Sequence, residues 1–154
     1  MKKEIIPIIL IVFAIASCGP NNSSGACGDN KNLCFEANGV FKSYDARWIQ
    51  TENGTKIEAL DIVGADTTKI SFSLNGELKV KAYSLLQTAI PEDFPDGYIS
   101  FFDTLGHYSS DGTVNLTNIF ENKLTGDFNA RLFNFTDTSS VIITNGHLDA
   151  IIQQ

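Results

Sequence analysis

What this chain most lacks is helix. No stretch of globular-helix length combines a 3.6-residue apolar period with a capping residue at its start. Basic clusters are missing as well. Eleven Lys and Arg stand against eighteen Asp and Glu, for a formal charge of −7, which excludes a phosphate-neutralising nucleic-acid surface and electrostatic docking on anionic lipid. Histidine occurs twice, as His107 and His147, far apart in sequence and far from the cysteines. A Cys/His zinc site is therefore not expected, and no cofactor is implied. Gly-x-Ser-x-Gly, His-Glu-x-x-His and phosphate-binding glycine loops are all absent. These absences point to a non-enzymatic role. The rival classes are an enzyme acting on glycans through facing carboxylates, and an immunity or inhibitor protein that blocks a toxin or hydrolase.

What is present begins with Lys2 and Lys3, then an apolar stretch over Ile5–Ile15 that is shorter than the ~20 residues of a membrane-spanning helix. It ends in Ile15-Ala16-Ser17-Cys18. This segment resembles the bacterial lipobox, in which the cysteine is acylated and all that precedes it is cut away. The resemblance implies a signal peptide over 1–17, a palmitate-type lipid anchor on Cys18, and an outer-membrane lipoprotein. Surface-exported lipoproteins of similar bacteria often carry an acidic cluster just after this cysteine; Gly19–Ser24 has none, so the resemblance implies the periplasmic side over the cell surface. Without Lys2, Lys3 and Glu4, nine basic and seventeen acidic residues remain, a formal charge of −8.

Residues 18–32 read as a lipidated tether, since Gly19–Ala26 offers no large apolar side chain to pack. Cys27 and Cys34 remain as a single pair, and in an oxidising envelope they are expected to form a disulfide. Residues 33–154 are of single-domain size.

Within 33–154 the pattern is β. Ile70, Phe72 and Leu74 alternate with polar residues, Asn75-Gly76 follows, and Leu78, Val80 and Ala82 alternate again, predicting a hairpin over 69–86. Asn38-Gly39, Asn53-Gly54, Asp96-Gly97, Asp111-Gly112 and Asn145-Gly146 supply further turn signals. They delimit expected strands at 33–37, 40–50, 56–63, 98–103, 113–119, 126–135, 140–145 and 147–152. The expected fold is all-β: an antiparallel sandwich or flattened barrel built from sequential hairpins.

Several stretches resemble a family of small lipoproteins typical of the Bacteroidetes. They are Phe35-Glu-Ala-Asn-Gly-Val-Phe41, Ala46-Arg-Trp48, Gly112–Thr117, Leu124-Thr-Gly-Asp-Phe-Asn-Ala130 and Ile142-Ile-Thr-Asn-Gly-His-Leu148. In that family a Thr-Gly-x-Phe-x-Ala strand precedes an Ile-Thr-Asn-Gly-x-Phe hairpin; this chain has Leu148 at the last position. The resemblance implies the β fold and the lipid anchor, and carries no activity with it.

Candidate contact residues fall in two places. One is the Pro-rich loop Ile90–Gly97, with Glu92, Asp93, Phe94 and Asp96, whose acidic members are also weighed as calcium ligands. The other is an aromatic surplus: Tyr44, Trp48, Tyr83, Phe101, Phe102, Tyr108, Phe133 and Phe135 cannot all share one core face. Trp48 and Tyr108 are singled out there as possible contacts with a protein or glycan partner. His107-Tyr-Ser-Ser-Asp111 collects catalytic residue types without a catalytic spacing, and reads as a polar loop.

Overall fold

Period-two alternation becomes strand after strand in the computed structural model, which describes residues 26–28, 30–63, 66–85 and 96–154. Ten strands follow in chain order: β1 (Leu33–Ala37), β2 (Val40–Tyr44), β3 (Ala46–Thr51), β4 (Gly54–Val63), β5 (Asp66–Asn75), β6 (Ala82–Ser84), β7 (Gly97–Phe102), β8 (Gly106–Phe120), β9 (Lys123–Phe133) and β10 (Ser140–Gln153). The described residues contain no helix.

Seven strands, β3-β4-β5-β7-β8-β9-β10, form a closed barrel. All neighbours are antiparallel except at the seam, where β10 meets β3 in parallel through Ile152↔Arg47 and Gln153↔Trp48. The stagger can be followed around the wall. From Ile152 the row passes through Arg47, Glu58, Ser71, Ser100, Tyr108 and Phe133, and returns to β10 at Ser140. It arrives twelve residues from where it left. Closure with that shear requires strongly tilted strands and abolishes the open edge of the ring.

The interior is filled by side chains. Phe72 and Phe128 meet edge-to-face at 4.8 Å, and Phe35 contacts Phe101 at 5.7 Å and Phe128 at 5.8 Å. Phe35 belongs to β1, so the β1–β2 hairpin, paired to β10, packs on the same core. Burying each of these rings contributes roughly 1.5–3 kcal/mol.

Three expectations are corrected. The 69–86 hairpin does not form: β5 lies between β4 and β7, and β6 pairs with β8. The Asn75 N–H donates to Asp96 O and the Gly76 N–H to Asn53 O, so the Asn-Gly ends β5 instead of folding it back. The second run also keeps its expected parity only at Leu78, which packs on the core. Val80 and Ala82 are exposed, while Tyr83 is buried with its hydroxyl accepting from the Lys79 N–H at 2.8 Å.

The second correction is at Asn145-Gly146, where 140–145 and 147–152 are one strand instead of a hairpin. Asn145 takes φ 51° and inserts a bulge in the β9 register between Ile143 and Gly146. Glycine follows because a Cβ there would lie 2.5 Å from Phe128 O and 2.7 Å from its ring. Asp111-Gly112 likewise lies inside β8, just after a bulge between Ser109 and Asp111, with Gly112 at φ 142°. The third correction concerns 40–50, which is broken at Asp45 into β2 and β3. Asn38-Gly39 does turn the chain, between β1 and β2 with φ 49° and 79°.

Candidate binding face

The eight surplus aromatics divide into two sets. Tyr44, Trp48, Tyr83 and Phe101 point inward and are buried. Phe102, Tyr108, Phe133 and Phe135 sit on the outside of the wall, and they are contiguous. Phe102 and Tyr108 meet edge-to-face at 5.7 Å, Tyr108 and Phe133 are direct register partners, and Phe133 and Phe135 meet at 5.3 Å. Tyr108 is 40 % exposed and Phe135 62 %. The alternation explains the placement: Ile99 and Phe101 of β7 face inward, so Phe102 faces out. On β9, Phe128, Ala130 and Leu132 take the core and Phe133 the surface.

Below this strip the same outer face becomes polar. Asp111 stands opposite Arg131, Thr113 opposite Asn129, and Asn115 opposite Asp127, which pairs on its other side with His147. His147 Nδ1 lies 2.7 Å from Asp127 Oδ1, with both side chains about half exposed. Such an exposed pair adds at most about 1 kcal/mol. Thr113, Asn115, Asp127, Asn129, Asn145 and His147 line a shallow hollow of about 380 Å³. The Asn145 bulge shapes it by sliding the β10 side chains against those of β9.

His107 is in a constellation that spacing alone did not reveal. It is buried, its Nδ1 lies 3.2 Å from Leu105 O, and its Nε2 lies 2.9 Å from Ser139 Oγ. Ser139 Oγ donates to Asp137 Oδ1 at 2.6 Å, and this bond leads the effects that hold the Asp137 carboxyl below the ordinary carboxylate range. The residue types are those of a hydrolytic triad, but the order is not. A triad carboxylate orients the imidazole, whereas here it takes the serine hydroxyl and a main-chain carbonyl faces the imidazole. The chain of bonds braces the β9–β10 turn, together with Asn134 Oδ1, which accepts from Thr136 N at 2.7 Å. Ser139 and Asp137 carry no spacing signal relative to His107, which is why only the fold joins them.

The other expected site residues fall as follows. Glu92, Asp93 and Phe94 lie outside the described residues, as does Cys18. Asp96 lies within the described residues, and its carboxylate accepts from Lys81 Nζ at 3.0 Å and from Ser84 N at 3.3 Å. The Lys81 bond is the main cause holding its carboxyl below the ordinary range. Trp48 is only 6 % exposed, and its indole N–H donates to Asn122 O at 3.1 Å. It therefore serves the barrel seam, and its ring offers no contact surface. Tyr108 lies at the centre of the outer strip. Cys27 and Cys34 are joined as a disulfide with Cα atoms 5.1 Å apart. Cys27 Sγ lies 3.9 Å from His147 O, so the disulfide meets the barrel beside the polar end of this face. Among the described residues no three His, Cys, Asp or Glu are grouped to hold a metal ion.

No known family profile, curated protein or solved structure matches this chain, so the geometry carries the functional reading.

Proposed function

We propose that this chain is a lipid-anchored envelope protein on the periplasmic side of the outer membrane, and that its barrel is a non-enzymatic binding module acting through the outer face of β7–β10. One observation carries the reading: four contiguous aromatic rings, Tyr108 and Phe135 exposed and Phe102 and Phe133 half-buried, lie on the outside of a barrel whose inside is already filled by side chains. Contiguous exposed apolar surface of this kind marks interaction sites.

The anchor geometry is compatible with that use. Ala26 lies eight positions after Cys18 and lines a hollow with Thr117, Thr125, Asp127, His147 and Asp149. An eight-residue chain reaches at most about 28 Å. The aromatic end lies seven residues further along β10, from His147 to Ser140, or about 23 Å beyond the point of attachment.

The test has two parts. Cys18→Ser should move the protein from the membrane fraction to the soluble periplasmic fraction. A photo-crosslinking residue in place of Phe135 should give an adduct in intact cells that is missing when the crosslinker replaces Val80. A Cys18→Ser protein that still sediments with membranes would refute the anchor. A Phe135 position that captures nothing would refute the binding face.

A further inference from the structure

The end of the barrel nearest the attachment point carries apolar side chains that the core does not use. We infer that the row Phe120–Lys123–Ile152–Arg47 rests on a zwitterionic lipid bilayer, so that the barrel stands on the membrane with its aromatic strip turned away; the inference rests on the Cys18 anchor of the reading above.

Position is the first argument. Ala26 shares a hollow with Thr117 and Thr125, and Phe120 lies three residues beyond Thr117 along β8, or about 10 Å. An eight-residue chain averages about 15 Å end to end. A chain of that reach lets this end of the barrel touch the bilayer without being stretched. The aromatic end lies about 23 Å from the attachment in the other direction, and would need the chain drawn out almost straight.

Exposure is the second. The four residues are successive register partners on the outside of the wall: Phe120 with Lys123, Lys123 with Ile152, and Ile152 with Arg47. Phe120 is 64 % exposed and Ile152 46 %. Their chain neighbours Ile119 and Ile151 pack on the core, so alternation turns Phe120 and Ile152 out. The turn that follows Phe120 is held in place, since Asn122 O accepts from Gln153 N at 2.8 Å and from Trp48 Nε1 at 3.1 Å. A ring projected from a fixed turn enters the headgroup–acyl boundary with little loss of chain freedom, as the apolar faces of interfacial helices do.

Charge is the third. Lys123 and Arg47 flank the two apolar side chains, and such stems lie along apolar surface while their charges reach headgroup phosphates. Glu121 in the same turn, and Glu58 across the register from Arg47, keep the row from acting as a basic patch. The whole chain, at −7, opposes approach to a strongly anionic surface. A zwitterionic bilayer supplies phosphates without that repulsion.

The experiment places the full-length lipidated protein in phosphatidylcholine vesicles that carry a nitroxide on the headgroup. Trp48, the only tryptophan, is bonded to the turn beside Phe120, so quenching of its fluorescence reports contact at this end. The wild-type protein should float with the vesicles and be quenched. Phe120→Asp and Ile152→Asp should each float equally well and lose most of the quenching, because a carboxylate does not enter the acyl boundary. Leu105→Asp, in the β7–β8 turn at the aromatic end, should be quenched as the wild type is. Thermal melts establish that each variant is folded. Flotation without quenching, quenching that both folded variants keep, or quenching that strengthens when anionic lipid is added would overturn the docking and leave the anchor standing. Loss of quenching in Phe135→Asp, with Phe120→Asp unaffected, would overturn it by setting the aromatic end on the membrane. A wild-type protein that does not float would overturn the anchor and the docking together.

Discussion

Asn32 gives the sharpest test of how the barrel closes. Its own backbone is bound on both sides: Asn32 N donates to Tyr44 O at 3.1 Å and Asp149 N donates to Asn32 O at 2.7 Å. Its side chain then works as a third piece of ladder. Asn32 Nδ2 donates to Ala46 O at 2.9 Å, and Ala46 N donates to Asn32 Oδ1 at 2.6 Å. The carboxamide thus stands in for a peptide group where β10 has only two register pairs with β3. Ala46 is fully buried, so truncating the side chain would leave its N–H and C=O without protein partners. At about 1–3 kcal/mol for each of the two unsatisfied groups, Asn32→Ala should lose about 2–6 kcal/mol. For a domain of this size each kcal/mol lowers Tm by about 3–6 °C. Urea denaturation followed by tryptophan fluorescence is the natural assay, because Trp48 is the only tryptophan and lies at this seam. Asn32→Asp sharpens the test. Its carboxylate keeps the acceptor for Ala46 N but sets an oxygen against Ala46 O, so this variant should be as unstable as the alanine one at neutral pH. Protonation would restore a donor, and stability should partly recover in acid. An Asn32→Ala protein within about 0.5 kcal/mol of wild type, the range of an ordinary surface change, would refute the reasoning.

Gly146→Ala should cost about 1–3 kcal/mol by equilibrium unfolding, because the added methyl meets the Phe128 backbone and ring inside a packed wall; a neutral result would show that the bulge relaxes freely. Replacing Cys27 and Cys34 together by serine should remove about 2–3 kcal/mol on the loop-entropy account, and added reductant should then leave the variant's melting temperature unchanged. Tyr44, its pKa pushed up to about 12 by burial and then by Asp61 and Asp103, should lower stability in alkali. Its folded pKa lies above the ordinary value of about 10, so the stabilisation is complete below pH 10 and falls by about 1.4 kcal/mol per pH unit towards pH 12. Absorbance at 295 nm during pH titration of the folded wild-type and Tyr44→Phe proteins should differ by one step well above pH 10, and superimposable curves would contradict this.

Much of the fold follows from local pattern. Alternation in Ile70–Leu74 and Phe128–Leu132 marked strands and their inner faces, and those residues are in the core. Asn38-Gly39 marked a true turn. The same dipeptide logic failed at Asn145-Gly146, which makes a bulge, and at Asp111-Gly112, which lies within a strand, because a residue at positive φ serves inside a strand as well as at a turn. Only the neighbouring strand decides between them. The turn joining β8 to β9 has no glycine at all; Glu121 takes φ 52° there, and nothing local announces it.

The binding face divides the same way. Composition showed that eight aromatics exceed one core face, and alternation placed Phe133 and Phe135 opposite Phe128. Their assembly with Phe102 and Tyr108 needed β7, β8 and β9 brought into register from three parts of the chain. The His107–Ser139–Asp137 brace and the Asn32 seam have the same origin. By itself the sequence determined the strand-forming periodicity, the acidic balance and the paired cysteines, because each is a property of residues near in the chain. Barrel closure, the twelve-residue stagger and the outward aromatic strip were decided by tertiary structure, because each depends on which distant strands hydrogen-bond and in what register.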